Sequence, residues 1–311
     1  MEVINGIKQI QQPFHNAVVT IGNFDGVHKG HCALFQEAID RALKVGGKSI
    51  VITFEPHPLK VINKAKSPPL ITLYEQKVEL ISETGTDVFI CIPFTKEFSE
   101  INARSFVVDI LINTIGMKTI VIGNDYHFGK NREGNLNLLK ELSSIYGFDI
   151  VIPDWISIKS PTHERISSTK IREIVQQGLV ERAPEFMGRF YQIRGKVVPG
   201  RKRGEQLLGI PTANILLQDE LCPHYGVYAV IVEYQHKKYA GVANIGFSPT
   251  FNDHVFTVEV HILNFKKNIY HEPIKIDFIR KLRDEQKFSG LEQLSKQIKI
   301  DIEHAKTYIQ L

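Results

Sequence analysis

The chain is poor in the residues that build cross-links. Its 311 residues include three cysteines, one tryptophan and three methionines. Cys32, Cys91 and Cys222 lie far apart, are odd in number and form no C-x-x-C. That excludes a disulfide framework and the common zinc spacings, and leaves reduced thiols as the expected state. No apolar run approaches the ~20 residues that a membrane helix needs. Residues 1–10 carry an early acid and no apolar core, unlike a secretory signal. There is no internal repeat and no low-complexity tract. The net charge is only +4, a sign and size that fit small anionic ligands at least as well as nucleic acid. These absences predict a cytoplasmic chain with no membrane among its expected partners; no nucleic acid is expected either, because the basic residues 201–203 adjoin a predicted phosphate site. They carry no signal for an oligomeric state.

What is present is ordinary globular material, 43% apolar and 23% charged. At roughly 100–200 residues per domain, its length predicts two domains. Apolar strand patterns over 17–22, 49–54, 87–92, 119–123 and 149–153 alternate with helical patterns over 31–45, 72–84, 102–115 and 135–146. Strands separated by such helices predict a parallel α/β sheet. Thr72 and Glu75 have the spacing of a capping box. A short helix is expected after Ser167-Ser168-Thr169, with Gly178 as its C′ residue. From Arg189 the texture becomes β-rich, with runs at 191–198, 226–234, 238–245, 255–265 and 274–279. This pattern predicts a small antiparallel barrel. A last helix is expected from Ser289, with Glu292 as capping partner. Its stripe of Leu291, Leu294, Ile298, Ile302, Ala305 and Ile309 should pack on the barrel. The boundary divides the chain into 1–185 and 186–311.

The most informative stretch is T-I-G-N-F-D-G-V-H-K-G-H, residues 20–31. A strand ends in a loop with glycines at 22, 26 and 30, and an amphipathic helix follows. Such a turn aims the free N–H groups of a helix start at whatever fills the loop. The glycines let an anion approach the backbone, and His28 and His31 can donate to it. The glycine spacing fits neither G-x-G-x-x-G nor the P-loop. A second strand, followed by T-F-E-P-H-P (53–58), brings His57 to the same sheet edge, where ligands of open α/β sheets gather.

With further motifs the chain resembles prokaryotic bifunctional riboflavin kinase/FAD synthetases. The first half resembles their FMN adenylyltransferase module through G-N-F-D-G-V-H-K-G-H (22–31), T-F-E-P-H-P (53–58), G-N-D-Y-H-F-G (123–129) and R-I-S-S-T-K-I-R (165–172). The second half resembles the riboflavin kinase module through G-I-P-T-A-N (209–214), G-V-Y (226–228), N-I-G-F-S-P-T-F (244–251), V-E-V-H-I-L (258–263) and L-R-D-E-Q-K-F (282–288). The motifs occur in the family's order and span nearly the whole chain. The resemblance implies a Rossmann-like nucleotidyltransferase fold followed by a β-barrel. Its substrates would be ATP, riboflavin and FMN, with Mg2+ accompanying ATP and with FMN and FAD as products. It implies a phosphate cradle of Gly22, Phe24, His28, Gly30, His31 and His57. Asp125 would lie near the nucleotide, and Arg165, Ser168, Thr169 and Arg172 would grip pyrophosphate. In the barrel it implies Thr212 and Asn214 as hard oxygen ligands for Mg2+ and Glu259 as the base that accepts the riboflavin hydroxyl proton.

Three departures from the family pattern fall in the second half. The loop 200–209 reads G-R-K-R-G-E-Q-L-L-G, longer by one residue and with Glu205 near the expected triphosphate; Ile210 replaces an aromatic, and Asn264 replaces a frequent Asp. Two alternatives stand beside the bifunctional reading. In one, an adenylyltransferase carries a barrel that binds flavin without phosphorylating it. In the other, the barrel with Arg201, Lys202 and Arg203 binds RNA.

Overall fold

The structure, a computed structural model, describes residues 1–154, 164–199, 210–217, 219–247 and 256–309. It divides into two compact units, Met1–Ser167 and Ser168–Leu311.

The first unit is a six-stranded parallel sheet. Its strands are β1 (Glu2–Asn5), β2 (Ala17–Ile21), β3 (Ser49–Glu55), β4 (Val88–Pro93), β5 (Met117–Val121) and β6 (Asp149–Val151), in the spatial order β1-β4-β3-β2-β5-β6. Every neighbouring pair is parallel. A sheet covered on both faces needs apolar residues at consecutive positions, and β2 is buried along its whole length. Ile50 and Ile52 join a core with Ile90, Phe106 and Ile110, while Val51 faces the opposite core of Phe24, Phe35 and Phe89. The chain leaves β2 toward β3 on one side and leaves β5 toward β6 on the other. The order therefore reverses between β2 and β5, and the crevice outside their carboxyl ends is where such sheets bind ligands. The loops 22–28 and 122–135 emerge there.

Helix Lys29–Lys44 begins two residues before the expected position, and Leu136–Tyr146 begins within one of it. The 102–115 helix is a turn at Ala103–Ser105 running into a π-helix at Phe106–Ile115. Asn102 Oδ1 accepts from the Ser105 N–H at one end, and left-handed Gly116 closes the other. The capping box at Thr72 does not form. Helix Tyr74–Ser82 starts after Leu73 without a side-chain cap. The Thr72 hydroxyl instead accepts from the Gly26 N–H at 3.0 Å and contacts Asp25. A long-range partner has taken the group that local capping would have used.

The second unit is a closed antiparallel barrel of β7 (Tyr191–Val198), β8 (Ala213–Leu216), β9 (Gly226–Tyr234), β10 (Lys237–Phe247), β11 (Phe256–Ile262) and β12 (Pro273–Arg283), ordered β10-β11-β8-β7-β12-β9. Tyr191, Tyr228, Ile215, Ile245, Val258, Val260 and Phe278 are fully buried, and Tyr228 and Tyr191 both lie against Phe278. Helix Ser168–Gln176 belongs to this unit. The His224 N–H donates to the Val175 carbonyl at 3.3 Å, and Gly178 is left-handed after the helix, as expected.

Helix Leu291–Tyr308 lays Ile302, Ala305 and Ile309 of its expected stripe on Val227, Ala229, Val242 and Ile279, whereas Leu291 in its first turn is exposed and does not pack as expected. Its expected cap at Ser289 and Glu292 is not made. Gly290 precedes the helix without a side-chain cap, and the Ser289 N–H donates to Gln293 Oε1 at 3.4 Å. An ion pair also joins this helix to β12. Arg283 donates to both oxygens of Asp301 at 2.8–3.1 Å, and Gln297 adds a third donor group at 2.9 Å.

Candidate active sites

In the first unit the sequence builds a cradle at the end of β2. His28 is the N-cap of helix Lys29–Lys44, and its Nδ1 accepts the His31 N–H at 3.2 Å. That bond requires an unprotonated Nδ1, so the neutral ring carries its proton on Nε2 and can donate there. The His28 and His31 rings stack at 3.5 Å between centroids. Phe24 meets His31 edge-on at 5.2 Å and Phe35 at 4.8 Å.

Two of the three loop glycines, Gly22 and Gly30, make room for these rings. A Cβ on Gly22 would lie 2.9 Å from the Phe24 ring, and one on Gly30 would lie 3.1 Å from the His28 ring. Phe24 and Val27 hold φ of 47° and 38°, a left-handed backbone that costs energy for side-chain-bearing residues and collects at functional sites. His57 caps helix Pro58–Ile62 by accepting the Leu59 N–H, and its Nε2 lies 3.2 Å from the Asn23 amide nitrogen.

After β5, Asp125 pairs with Arg165 at 2.8 Å, both side chains being half exposed. Their surroundings are ordered by Tyr126, which stacks on Phe128 and whose phenol is pushed up by burial. Arg165 lies in a segment that passes the helix start, for a Cβ on Gly30 would sit 3.8 Å from the Ile166 carbonyl oxygen. The structure thus brings His28, His31, His57, Phe24, Asp125 and Arg165 to one end of the parallel sheet. Ser168, Thr169 and Arg172 lie on the opening helix of the second unit.

Two supporting residues, Asp25 and Lys77, have roles that motif reading does not show. Asp25 is buried, and its carboxylate accepts the Ile71 N–H, the Thr72 N–H and the Thr72 hydroxyl at 3.0–3.3 Å. Lys77 is buried on helix Tyr74–Ser82 and donates to the Asn23 carbonyl at 2.9 Å, where Thr53 Oγ1 also donates at 3.2 Å. Burial holds the Lys77 ammonium below the ordinary lysine range, opposed by the charge of Asp25. A signal for Lys77 exists in the sequence: Tyr74, Val78 and Ile81 mark the buried stripe of its helix, and position 77 falls on that side.

In the barrel the register places Asn214 opposite Glu259, and Glu259 opposite Asn244. Directly opposed residues of antiparallel strands share a face, so the three form one polar row across β8, β11 and β10. Val258 and Val260 flank Glu259 and are fully buried in the interior, which puts the row on the outer face. That is also the face Val242 and Val227 present to the terminal helix. Thr212 precedes β8, and His261 Nδ1 lies 2.8 Å from the Pro211 carbonyl oxygen at the same end. A Cβ on Gly246 would meet Glu285 Oε1 at 2.5 Å and Asn244 Nδ2 at 3.3 Å, so the Glu285 carboxylate lies over Gly246 beside the row. Asn264 adopts φ 56° in the turn after β11, a conformation that Asn tolerates well. The loop 200–209, with Arg201, Lys202, Arg203 and Glu205, and residues 248–251 of the N-I-G-F-S-P-T-F motif lie outside the described residues.

Among the described residues no helix is long and apolar enough to cross a membrane. A family model for FAD synthetase matches residues 10–170 and one for riboflavin kinase matches residues 187–309. A bifunctional riboflavin kinase/FMN adenylyltransferase of Buchnera aphidicola from Acyrthosiphon pisum is 38% identical over 100% of this chain and 99% of its own. The protein of that description from Escherichia coli K12 is 35% identical over the same shares. A solved structure from Streptococcus pneumoniae, described as a macrolide-efflux protein, matches with a TM-score of 0.85 at 30% identity, covering 99% of this chain and all of the other. The two family models match in order, the relatives cover the whole chain, and the chain belongs to the bifunctional riboflavin kinase/FMN adenylyltransferase family.

Proposed function

We propose that the chain makes FAD in two steps, phosphorylating riboflavin with ATP in the barrel and adenylylating the resulting FMN in the α/β unit. The observation that carries this reading is full-length membership of the family together with two separate sets of matching polar residues, one at the β2/β5 crevice and one on the barrel's outer face. In adenylyl transfer a phosphate oxygen of FMN attacks the α-phosphorus of ATP and pyrophosphate leaves. All partners are anions, so positioning and charge neutralisation govern the rate. His28 Nε2–H, His31 and the N–H groups of the helix start donate to the triphosphate. Arg165 exchanges its Asp125 partner for phosphate oxygens, and Ser168, Thr169 and Arg172 complete the grip on pyrophosphate. Gly22, Phe24, Gly30 and His57 shape the cradle, and Asp125 approaches the nucleotide.

In the kinase step Glu259 accepts the proton of the riboflavin 5′-hydroxyl while the γ-phosphoryl group transfers to it. The oxygen donors of Thr212 and Asn214, beside the Glu259 carboxylate, suit a hard cation, and a Mg2+ held there with ATP would neutralise charge on the phosphates. The boundary at 185/186 assigns helix Ser168–Gln176 to the first activity by sequence, although its contacts lie with the second unit. Incubating the protein with riboflavin, ATP and Mg2+, then separating the flavins, tests both steps. FMN followed by FAD is expected. FAD from supplied FMN, with no FMN from riboflavin, would leave the barrel as a flavin-binding module only.

A further inference from the structure

We propose that Lys77 is a positioning residue of the adenylyltransfer site: its buried ammonium fixes the Asn23 carbonyl and, through Phe24, sets the His31 and His28 rings. The proposal rests on the reading of those histidines as phosphate donors. Lys77 Nζ donates to the Asn23 carbonyl at 2.9 Å, and Thr53 Oγ1 donates to that same oxygen at 3.2 Å. One residue later the chain turns left-handed at Phe24, with φ 47°. Asp25 is tied down immediately beyond by the Ile71 and Thr72 N–H groups. Phe24 is thus held in a costly conformation between two buried anchors, one a cation on a carbonyl and the other a carboxylate on N–H groups. Its ring, which closes over Gly22, meets His31 edge-on at 5.2 Å, and His31 stacks on His28 at 3.5 Å. The contacts form an unbroken series from Lys77 to the two donors.

The chemistry explains why a lysine stands here. A buried ammonium is costly unless it is paired or hydrogen-bonded, and an apolar residue would fill the space on the core side of helix Tyr74–Ser82 without that cost. A methionine there would leave the carbonyl with the Thr53 bond alone and release the turn that orients Phe24. Displacements of about 1 Å at a reacting centre cost on the order of 10²-fold in rate.

The test is Lys77→Met, close in shape and without charge, in the full-length chain. Expected are a kcat for FAD formation from FMN lowered about 10- to 100-fold and a smaller change in KM for ATP. Riboflavin phosphorylation should be unchanged, and the melting temperature should be no lower than that of the parent. The imidazole NMR signals of His28 and His31, assigned by His28→Gln and His31→Gln, should shift. Ile81→Val, a core trim on the same helix, separates position from stability: it should lower the melting temperature while leaving both histidine signals and kcat in place. Unmoved histidine signals in Lys77→Met, or full FAD synthesis by it beside an active parent, overturn the proposal. A parent that forms no FAD would instead refute the donor reading, and the histidine signals would still decide whether Lys77 sets the rings.

Discussion

Replacing Asp301 with alanine should loosen the terminal helix from the barrel. Asp301 is only 3% exposed, and it receives Arg283 Nε and Nη2 together with Gln297 Nε2. Removing one partner of a buried pair costs about 3–5 kcal/mol, because the other charge stays without compensation. The Arg283 side chain is 20% exposed and can recover some water, which puts the expected loss at about 3 kcal/mol, the lower end of that range. At about 1.4 kcal/mol per factor of ten, the open population of helix Leu291–Tyr308 should rise roughly a hundredfold. Hydrogen exchange of the helix amides reads that population directly. The double variant Arg283→Met with Asp301→Leu removes both charges and should restore most of the protection, since an apolar pair of similar volume is often as stable as the ion pair. Exchange within about threefold of the parent in the single variant, or a double variant as loose as the single one, would refute the assignment of the ion pair as the helix anchor.

His31→Ala should cut FAD formation from FMN by about 10²–10³-fold, the cost of one transition-state donor, while riboflavin phosphorylation, measured on the same protein, continues. Glu259→Gln should retain riboflavin binding yet lose about 10²–10⁴-fold in FMN production; a variant as fast as the parent removes Glu259 from the role of base. Arg172→Ala should lower FAD formation from FMN, and unchanged synthesis by the folded variant would remove Arg172 from the grip on pyrophosphate. Asp277, raised by burial despite the Gln192 hydrogen bond, binds its proton more readily folded than unfolded. Its contribution to stability is therefore greatest below the ordinary carboxylate range and falls as pH climbs through the raised folded value. Asp277→Asn should gain stability at neutral pH and flatten that dependence in thermal unfolding, and an unchanged profile would count against it.

The sequence made the central strands and most long helices legible because each had a local signal. β2, β3 and β4 are apolar runs of strand length, and Lys29–Lys44 and Leu136–Tyr146 carry apolar stripes at helical spacing. β1 had no such signal, since Ile4 is the one buried residue in E-V-I-N and its pairing comes from the open edge of β4. β8, four residues long, is likewise defined by the ladders on either side of it. The two capping boxes failed for a related reason. The Thr72 hydroxyl found Gly26 and Asp25, 46 and 47 residues away in sequence, and helix Leu291–Tyr308 is held by a side-chain pair rather than by its first turn. Local rules describe what a group can do, and tertiary partners determine which of those options is taken.

The candidate sites divide along the same line. His28, His31 and Glu259 were legible as candidates because the chemistry proposed for them resides in the side chain itself and the flanking pattern singles it out. Asp25 was not, and for Lys77 the helical stripe signals burial but not a partner, because their contacts exist only once residues 23–26 meet 53, 71, 72 and 77 in space. Gly22 and Gly30 show how tertiary packing can supply a reason for a glycine that its local sequence does not carry. The missing Cβ does create room in the loop, as the sequence suggests, but the nearest groups to fill it are the Phe24 and His28 rings. The Phe24 ring borders the stacked histidine pair and the His28 ring is half of it, so on the proposed reading of those histidines as phosphate donors the glycines would serve the anion at one remove, by letting the rings close on the helix start. A substitution such as Gly30→Ala should accordingly disturb the His28 ring before it blocks any phosphate, which the His28 NMR signal of the ligand-free chain would register.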